Sequence, residues 1–149
     1  MNHNIDLNHL KEEINNWHLN PDEAKQLVDD NCIFFIDNLP IKSQFTIDLR
    51  SWCIGDKFKG IKMIPAGIHY IAINIVNEKY QEKSIKSGFF ISMKKKQVYI
   101  YTYDHKIEMI VPMKDQAQAK RLTLAIRRYE FDQNCGVYPL NQYKQWQLL

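Results

Sequence analysis

A chain of 149 residues, 45% hydrophobic and 25% charged, has the size and composition of one globular domain, since domains most often run to roughly 100–150 residues. That apolar share excludes a disordered or low-complexity chain, and nowhere do about 18 apolar residues follow one another as a membrane-crossing helix requires. With 20 Lys+Arg against 17 Asp+Glu, the net charge of +3 permits contact with nucleic acid without demanding it.

The N-terminus, MNHNIDLNHLKEE, lacks the basic start and apolar run of a secretory signal, so an intracellular, reducing compartment is expected. Cys32, Cys53 and Cys135 are an odd, scattered set and read as reduced thiols. Leu7, Leu10, Ile14 and Trp17 alternate at three and four residues, which predicts an amphipathic helix over 5–18. Asn20 is a candidate N-cap with Pro21 at the first helical position, so a second helix is expected over about 21–29.

From Cys32 the period becomes that of strands. The continuous apolar run Cys32–Ile36 reads as a buried strand stopped by Asp37-Asn38-Leu39-Pro40. Phe45, Ile47 and Leu49 alternate with polar neighbours, as in a half-buried strand. Ile61–Ile64 and Ile68–Val76 predict two more strands around a Pro65-Ala66-Gly67 turn, the second lying inside a sheet. Gly88–Met93, Val98–Tyr103 and Ile107–Val111 read as a three-stranded meander whose turns are Lys94-Lys95-Lys96 and Asp104-His105. On its middle strand, Tyr99, Tyr101 and Tyr103 share one face and Val98 and Ile100 the other.

Past Pro112 the spacing of Leu122, Ala125, Ile126 and Tyr129 predicts a helix over about Asp115–Phe131, with Gly136 ending that region. Pro139 starts a last short helix carrying Leu140, Tyr143 and Trp146. The expected fold is mainly β, an antiparallel sandwich or barrel-like core of about seven strands with helices at both ends.

Chemical motifs are sparse. The five histidines and three cysteines show no Cys-x-x-Cys or His-x-x-x-His spacing, so no metal and no other cofactor is expected. There is no G-x-S-x-G elbow, and none of the five glycines forms a phosphate-cradling loop. His69 opens a buried-looking strand and is expected to pack there, with a ring nitrogen satisfying a backbone carbonyl rather than doing chemistry. Lys94–Lys96 beside the tyrosine face gives an alternative reading, a β-module that binds RNA by stacking. Lys120, Arg121, Arg127 and Arg128 form a second basic group, read as a solvated helix face.

The stretch Trp52–His69 combines a large aromatic, glycines, lysines and a Met-Ile-Pro turn in a way no generic fold requires. From Leu39-Pro40 through Phe45-Thr46-Ile47-Asp48, Trp52, Gly55, Phe58-Lys59-Gly60-Ile61-Lys62-Met63-Ile64-Pro65 and Gly67-Ile68-His69, the chain closely resembles the N-terminal domain of the Aar-two family. Gly88-Phe89-Phe90-Ile91-Ser92 and Tyr138-Pro139 with Trp146 continue the likeness, which covers roughly residues 20–149 and leaves 1–19 as an extra N-terminal helix. Thr46, Asp56 and Ala66 depart from the family pattern, all expected in or beside turns.

The resemblance implies a β-rich domain without catalytic activity, from a chaperone-like factor that assists U5 snRNP assembly in pre-mRNA splicing. The implied partner is the large splicing protein Prp-eight, through its RNase H-like and Jab/MPN-type domains, in nucleus and cytoplasm. The family's helical second domain has no counterpart within these 149 residues, so a fragment or a short member is expected. Lys57, Lys59 and Lys62 surround Phe58 and Gly60 on a loop and are the candidate partner-binding residues. Trp52 and Phe58 are expected to anchor that loop to the core.

Overall fold

Strand β1 (Cys32–Asp37) has apolar residues on both faces because both faces are covered. The computed structural model describes residues 20–77, 82–83 and 87–139. The expected helices over 5–18 and after Pro139, and with them Trp146, lie outside the described residues.

Helix α1 (Pro21–Asp30) starts as expected: the Asn20 side chain accepts from the backbone N–H of Glu23, and proline occupies the first turn. The strands that follow are β2 (Gln44–Ile47), β3 (Arg50–Cys53), β4 (Gly60–Ile64), β5 (Gly67–Asn74), β6 (Val76–Asn77), β7 (Glu82–Lys83), β8 (Ser87–Met93), β9 (Val98–Asp104) and β10 (Met109–Pro112). Helix α2 (Gln116–Arg127), a 3-10 turn (Asp132–Asn134) and β11 (Cys135–Val137) complete the described chain.

A five-stranded sheet in the order β10-β9-β1-β4-β11 faces a four-stranded sheet in the order β3-β2-β5-β8. Phe34, Ile36, Ile61 and Ile64 of the first interdigitate with Phe45, Ile47, Ile71 and Ile73 of the second. Helices α1 and α2 cover the outer face of the five-stranded sheet, where Val28 and Ile126 pack on Ile33, Phe35 and Met63. The outer face of the four-stranded sheet carries no such layer among the described residues; Ile68 and Phe90 stand exposed on it.

The mainly β class with flanking helices is what the sequence predicts, but the pairing is not antiparallel throughout. β1 runs parallel to β9, and β4 parallel to β11. β1 and β9 become parallel neighbours because the chain visits the other sheet between them, whereas β11 is reached from β10 through helix α2 on the outer face. The predicted three-stranded meander is also corrected: β8 belongs to the four-stranded sheet, and only β9 and β10 form a hairpin. The Lys94–Lys96 turn therefore passes from one sheet to the other.

Several boundaries move for local reasons. β2 stops at Ile47, and Asp48-Leu49 is a two-residue hairpin loop, so Leu49 is exposed instead of continuing the alternation. Thr46 lies within β2, not at a turn; its hydroxyl meets that of Ser51 at 2.7 Å. Helix α2 ends at Arg127 and Tyr129 takes φ 63°, while Gly136 sits within β11 instead of ending the helical region.

The Lys62-Met63 pair forms a bulge. Between its pairings with Phe34 and Cys32, β4 places two residues, Lys62 and Met63, where β1 places only Ile33, and Met63 takes φ 62°. Ile61 and Ile64 can then both face the inner core while Met63 faces the helices. Gly60 opens this strand at φ 149°, and a Cβ there would collide with the carbonyl oxygen of Phe34. Gly60→Ala is therefore expected to cost at least about 2 kcal/mol in chemical denaturation. Wild-type stability in that variant would mean that β1 and β4 do not approach as described.

Candidate functional site

The polar centre of the molecule is built on the Asp48-Leu49 loop. A two-residue hairpin loop requires positive φ at its first position, which aspartate tolerates better than most residues, and Asp48 takes φ 52°. That backbone turns its carboxylate toward β5. Oδ1 accepts the backbone N–H of Tyr70 at 2.9 Å, and the Asp48 N–H donates to the Tyr70 carbonyl at 2.8 Å. Oδ2 faces Nδ1 of His69 at 2.6 Å and accepts from the Tyr138 hydroxyl at 2.7 Å.

His69 is 1% exposed, and its other nitrogen, Nε2, lies 2.6 Å from the Pro65 carbonyl oxygen. A carbonyl can only accept, so Nε2–H donates to it; an ionised Asp48 likewise takes a hydrogen from Nδ1. Both ring nitrogens are thus committed to protein acceptors, leaving none to take a proton from a substrate. The expected contact with a backbone carbonyl is present; the Asp48 partner is one the sequence reading did not pair with it.

Burial pushes the Asp48 carboxyl up, but hydrogen bonds from His69, Tyr138 and the Tyr70 N–H, together with the His69 charge, outweigh it and hold the group below the usual carboxylate range. Burial first, then the bond to Asp48, pushes the Tyr138 phenol well above its ordinary value. The Tyr138 ring meets His69 edge-on at 5.6 Å, and its N–H donates to the Lys62 carbonyl at 3.0 Å. One carboxylate thus joins a hairpin loop, the start of β5 and the end of β11.

The lysine segment divides in two. Lys62 projects from the bulge to Asp132, with Nζ 2.7 Å from Oδ1 and 3.2 Å from the carbonyl oxygen, and its side chain is only 12% exposed. Lys57 is exposed and Lys59 half-buried. The backbone between them is pinned, since the Asn134 side chain donates to the Lys57 carbonyl and the Lys59 N–H donates to the Asn134 carbonyl. The structure therefore does not gather the three cations on one surface. Asp132, the partner of Lys62, carried no signal in the sequence because the two are seventy positions apart.

Trp52 pairs with Phe45 across β2 and β3 and is half-buried against the core, with the Arg50 guanidinium over its ring. Phe58 lies 5.5 Å from Phe45 and packs against the same core, while Trp52 belongs to strand β3 and not to the loop. Gly55 stands in open space, whereas Gly88 lies against the Tyr70 ring, where a Cβ would clash. Gly67 takes φ 138° at the start of β5, Pro65 is buried just before it, and Pro139 follows Tyr138 at the end of the described chain.

The tyrosine face points inward. Tyr101 stacks on Phe34 and Phe89 at 4.9 and 5.6 Å, and Tyr103 is 3% exposed. These rings fill the space between the sheets, so they are not available to stack on bases. The alternation on β9 was legible, but which face looked inward depended on its parallel pairing with β1. Among the described residues, no three His, Cys, Asp or Glu side chains converge as metal ligands do. Burial pushes both the Cys32 and Cys135 thiols up to about 11, which keeps them protonated and unreactive at neutral pH.

Fold and site together define a helix-flanked two-sheet β-sandwich closed by a part-buried carboxylate. The description "AAR2 N-terminal domain" matches residues 30–149. The chain belongs to that family, the Aar-two family that the motifs resemble. It is 31% identical over 132 residues to the Protein AAR2 homolog of Mus musculus, covering 86% of this chain and 33% of the relative. The Homo sapiens homolog gives the same figures. The Caenorhabditis elegans homolog is 31% identical over 111 residues, covering 72% of this chain and 28% of its own. The chain spans about a third of the length of the curated relatives it matches.

Asp48→Asn is expected to lower stability by about 1.5–3 kcal/mol, the range for hydrogen bonds to a charged group. It should also change the pH dependence. A carboxyl whose folded value lies below its ordinary 3.8 contributes stability that is complete above 3.8 and lost as pH falls through the lower folded value. Urea midpoints measured from pH 6 to pH 2 should therefore fall less steeply in Asp48→Asn than in the wild type. Parallel curves would show that Asp48 is not the group being titrated.

Proposed function

We propose that this chain is a non-enzymatic interaction domain of an assembly factor, engaging the large splicing protein Prp-eight during U5 snRNP assembly in nucleus and cytoplasm. The observation that carries the reading is membership of the AAR2 family across residues 30–149. The fate of the motif residues supports it. Asp48, His69, Trp52, Phe58, Gly60 and Met63 are spent on loops, core contacts and a bulge, so they hold a shape and assemble no reactive centre. No observation favours the alternative RNA reading, since the tyrosines it needed lie between the sheets.

Within this reading, Lys57 and Lys59 present charge to an acidic partner surface, while Lys62 supports the loop through Asp132. Charges at the rim of a binding surface act mainly on the association rate. The Lys57→Glu, Lys59→Glu double variant is expected to keep its thermal midpoint and to associate about threefold or more slowly with recombinant RNase H-like and Jab/MPN-type fragments of Prp-eight. Lys62→Glu is expected instead to lose about 1–3 kcal/mol of stability. Wild-type association kinetics in the double variant would remove the loop from the binding surface. Absence of any binding by the wild-type chain would sink the partner assignment.

A further inference from the structure

The edges of the two main sheets are protected unequally. β11 has three residues, β10 has four and ends at Pro112, and β3 has four and begins with the exposed Arg50. Short length, proline and charge are the usual devices that stop a sheet edge from pairing with another chain. β8 has none of them. It runs for seven residues, Ser-Gly-Phe-Phe-Ile-Ser-Met, without proline or charge. It pairs with β5 on one side, and among the described residues nothing pairs with the other. Phe90, at its centre, is 75% exposed and rests against Tyr70 at 5.1 Å.

Charge surrounds this strand without entering it. Between positions 83 and 96 the sequence holds five lysines (Lys83, Lys86, Lys94, Lys95, Lys96) and no acidic residue. Lys94, Lys95 and Lys96 are all exposed, and no ion pair among the described residues engages them. The backbone of their turn is fixed. The Cys32 thiol and the Gln97 N–H donate to the Lys94 carbonyl, the Lys94 N–H donates to the Tyr99 hydroxyl, and Arg127 donates to the Lys96 carbonyl. The ammonium groups are thus held out from a rigid base at one end of the open edge.

This pattern selects an occupant. A second copy would bring its own lysine-rich stretch 83–96, which holds no acidic residue, to the same edge, and like charges brought together disfavour such a pair. We propose that the free edge of β8 receives an extended segment of a partner protein, about five or six strand-forming residues flanked by acidic side chains, which adds to the four-stranded sheet and meets the lysines with its ends. The lysines act in both directions, discouraging self-pairing and favouring the acidic segment. The proposal rests on the reading above only in treating the chain as one that binds proteins.

The test uses the 149-residue chain and two synthetic peptides, Glu-Asp-Val-Thr-Val-Thr-Val-Asp-Glu and its counterpart with lysine at the four end positions. Fluorescence polarisation should show the acidic peptide binding about tenfold or more tightly than the lysine-ended one. Hydrogen exchange of amides 87–93 should slow in its complex. A Lys94→Glu, Lys95→Glu, Lys96→Glu variant, altered only on the exposed turn, should keep its thermal midpoint and reverse the preference. Equal affinity for the two peptides, no binding, or unchanged exchange in β8 would overturn the proposal. So would tighter binding of a short oligouridylate, or concentration-dependent protection of β8 without ligand, which would mark RNA or a second copy as the occupant. Capture of the Prp-eight fragments by a chain that fails this peptide test would remove the β8 proposal alone and leave the broader reading standing.

Discussion

The Asp48 carboxylate is the contact on which the arrangement of the molecule turns. Its two oxygens receive the Tyr70 N–H, His69 and the Tyr138 hydroxyl, which joins positions 48, 69, 70 and 138 at one point. Those groups belong to a hairpin loop, a central strand of one sheet and the end of an edge strand in the other. β11 has only three residues in parallel pairing, a short and weak ladder by itself. Tyr138, bonded through its N–H to Lys62 and through its hydroxyl to Asp48, ties that strand down immediately after it ends. Partial burial of a carboxylate is tolerable here because each of its oxygens is satisfied and a histidine faces it.

The two sheets play unlike parts. The five-stranded sheet is covered on both faces, by the opposing sheet and by the helices, and its strand β1 is apolar throughout. Among the described residues the four-stranded sheet is covered on one face, with Ile68, Phe90 and Ser92 outward and Ile71, Ile91 and Met93 inward. The bulge at Lys62-Met63 lets β4 serve both layers. It also re-aims Lys62 toward Asp132, so a residue that reads as a loop cation becomes an internal brace. The lysines and aromatics of the segment from Trp52 to His69 are thus divided between core, brace and surface.

Much of the fold was legible in the sequence because it depends on short-range pattern. The Asn20-Pro21 helix start, the run Cys32–Ile36 and the interior strand after Gly67 follow from capping and periodicity. The errors of topology share one cause: pattern gives strands but not partners. The three late strands read as a meander because they follow one another, yet the chain changes sheets at Lys94–Lys96. The same ignorance of partners left the tyrosine face open to an outward reading. At the polar site, Asp48, His69 and Tyr138 each stood within a recognised motif, but nothing local joined them. Their meeting requires contacts 21 and 90 positions apart in the chain.

The central claim is that Asp48 and Tyr138 act as one unit linking the two sheets. It is tested most directly by a double-mutant cycle in urea denaturation, comparing Asp48→Asn, Tyr138→Phe and the double variant with the wild type. Residues that share a hydrogen-bonded network couple by about 0.5–3 kcal/mol, and this arrangement predicts a coupling of at least about 1 kcal/mol. Additive losses, agreeing within about 0.3 kcal/mol, would contradict it and show that β11 is held by its backbone pairing alone.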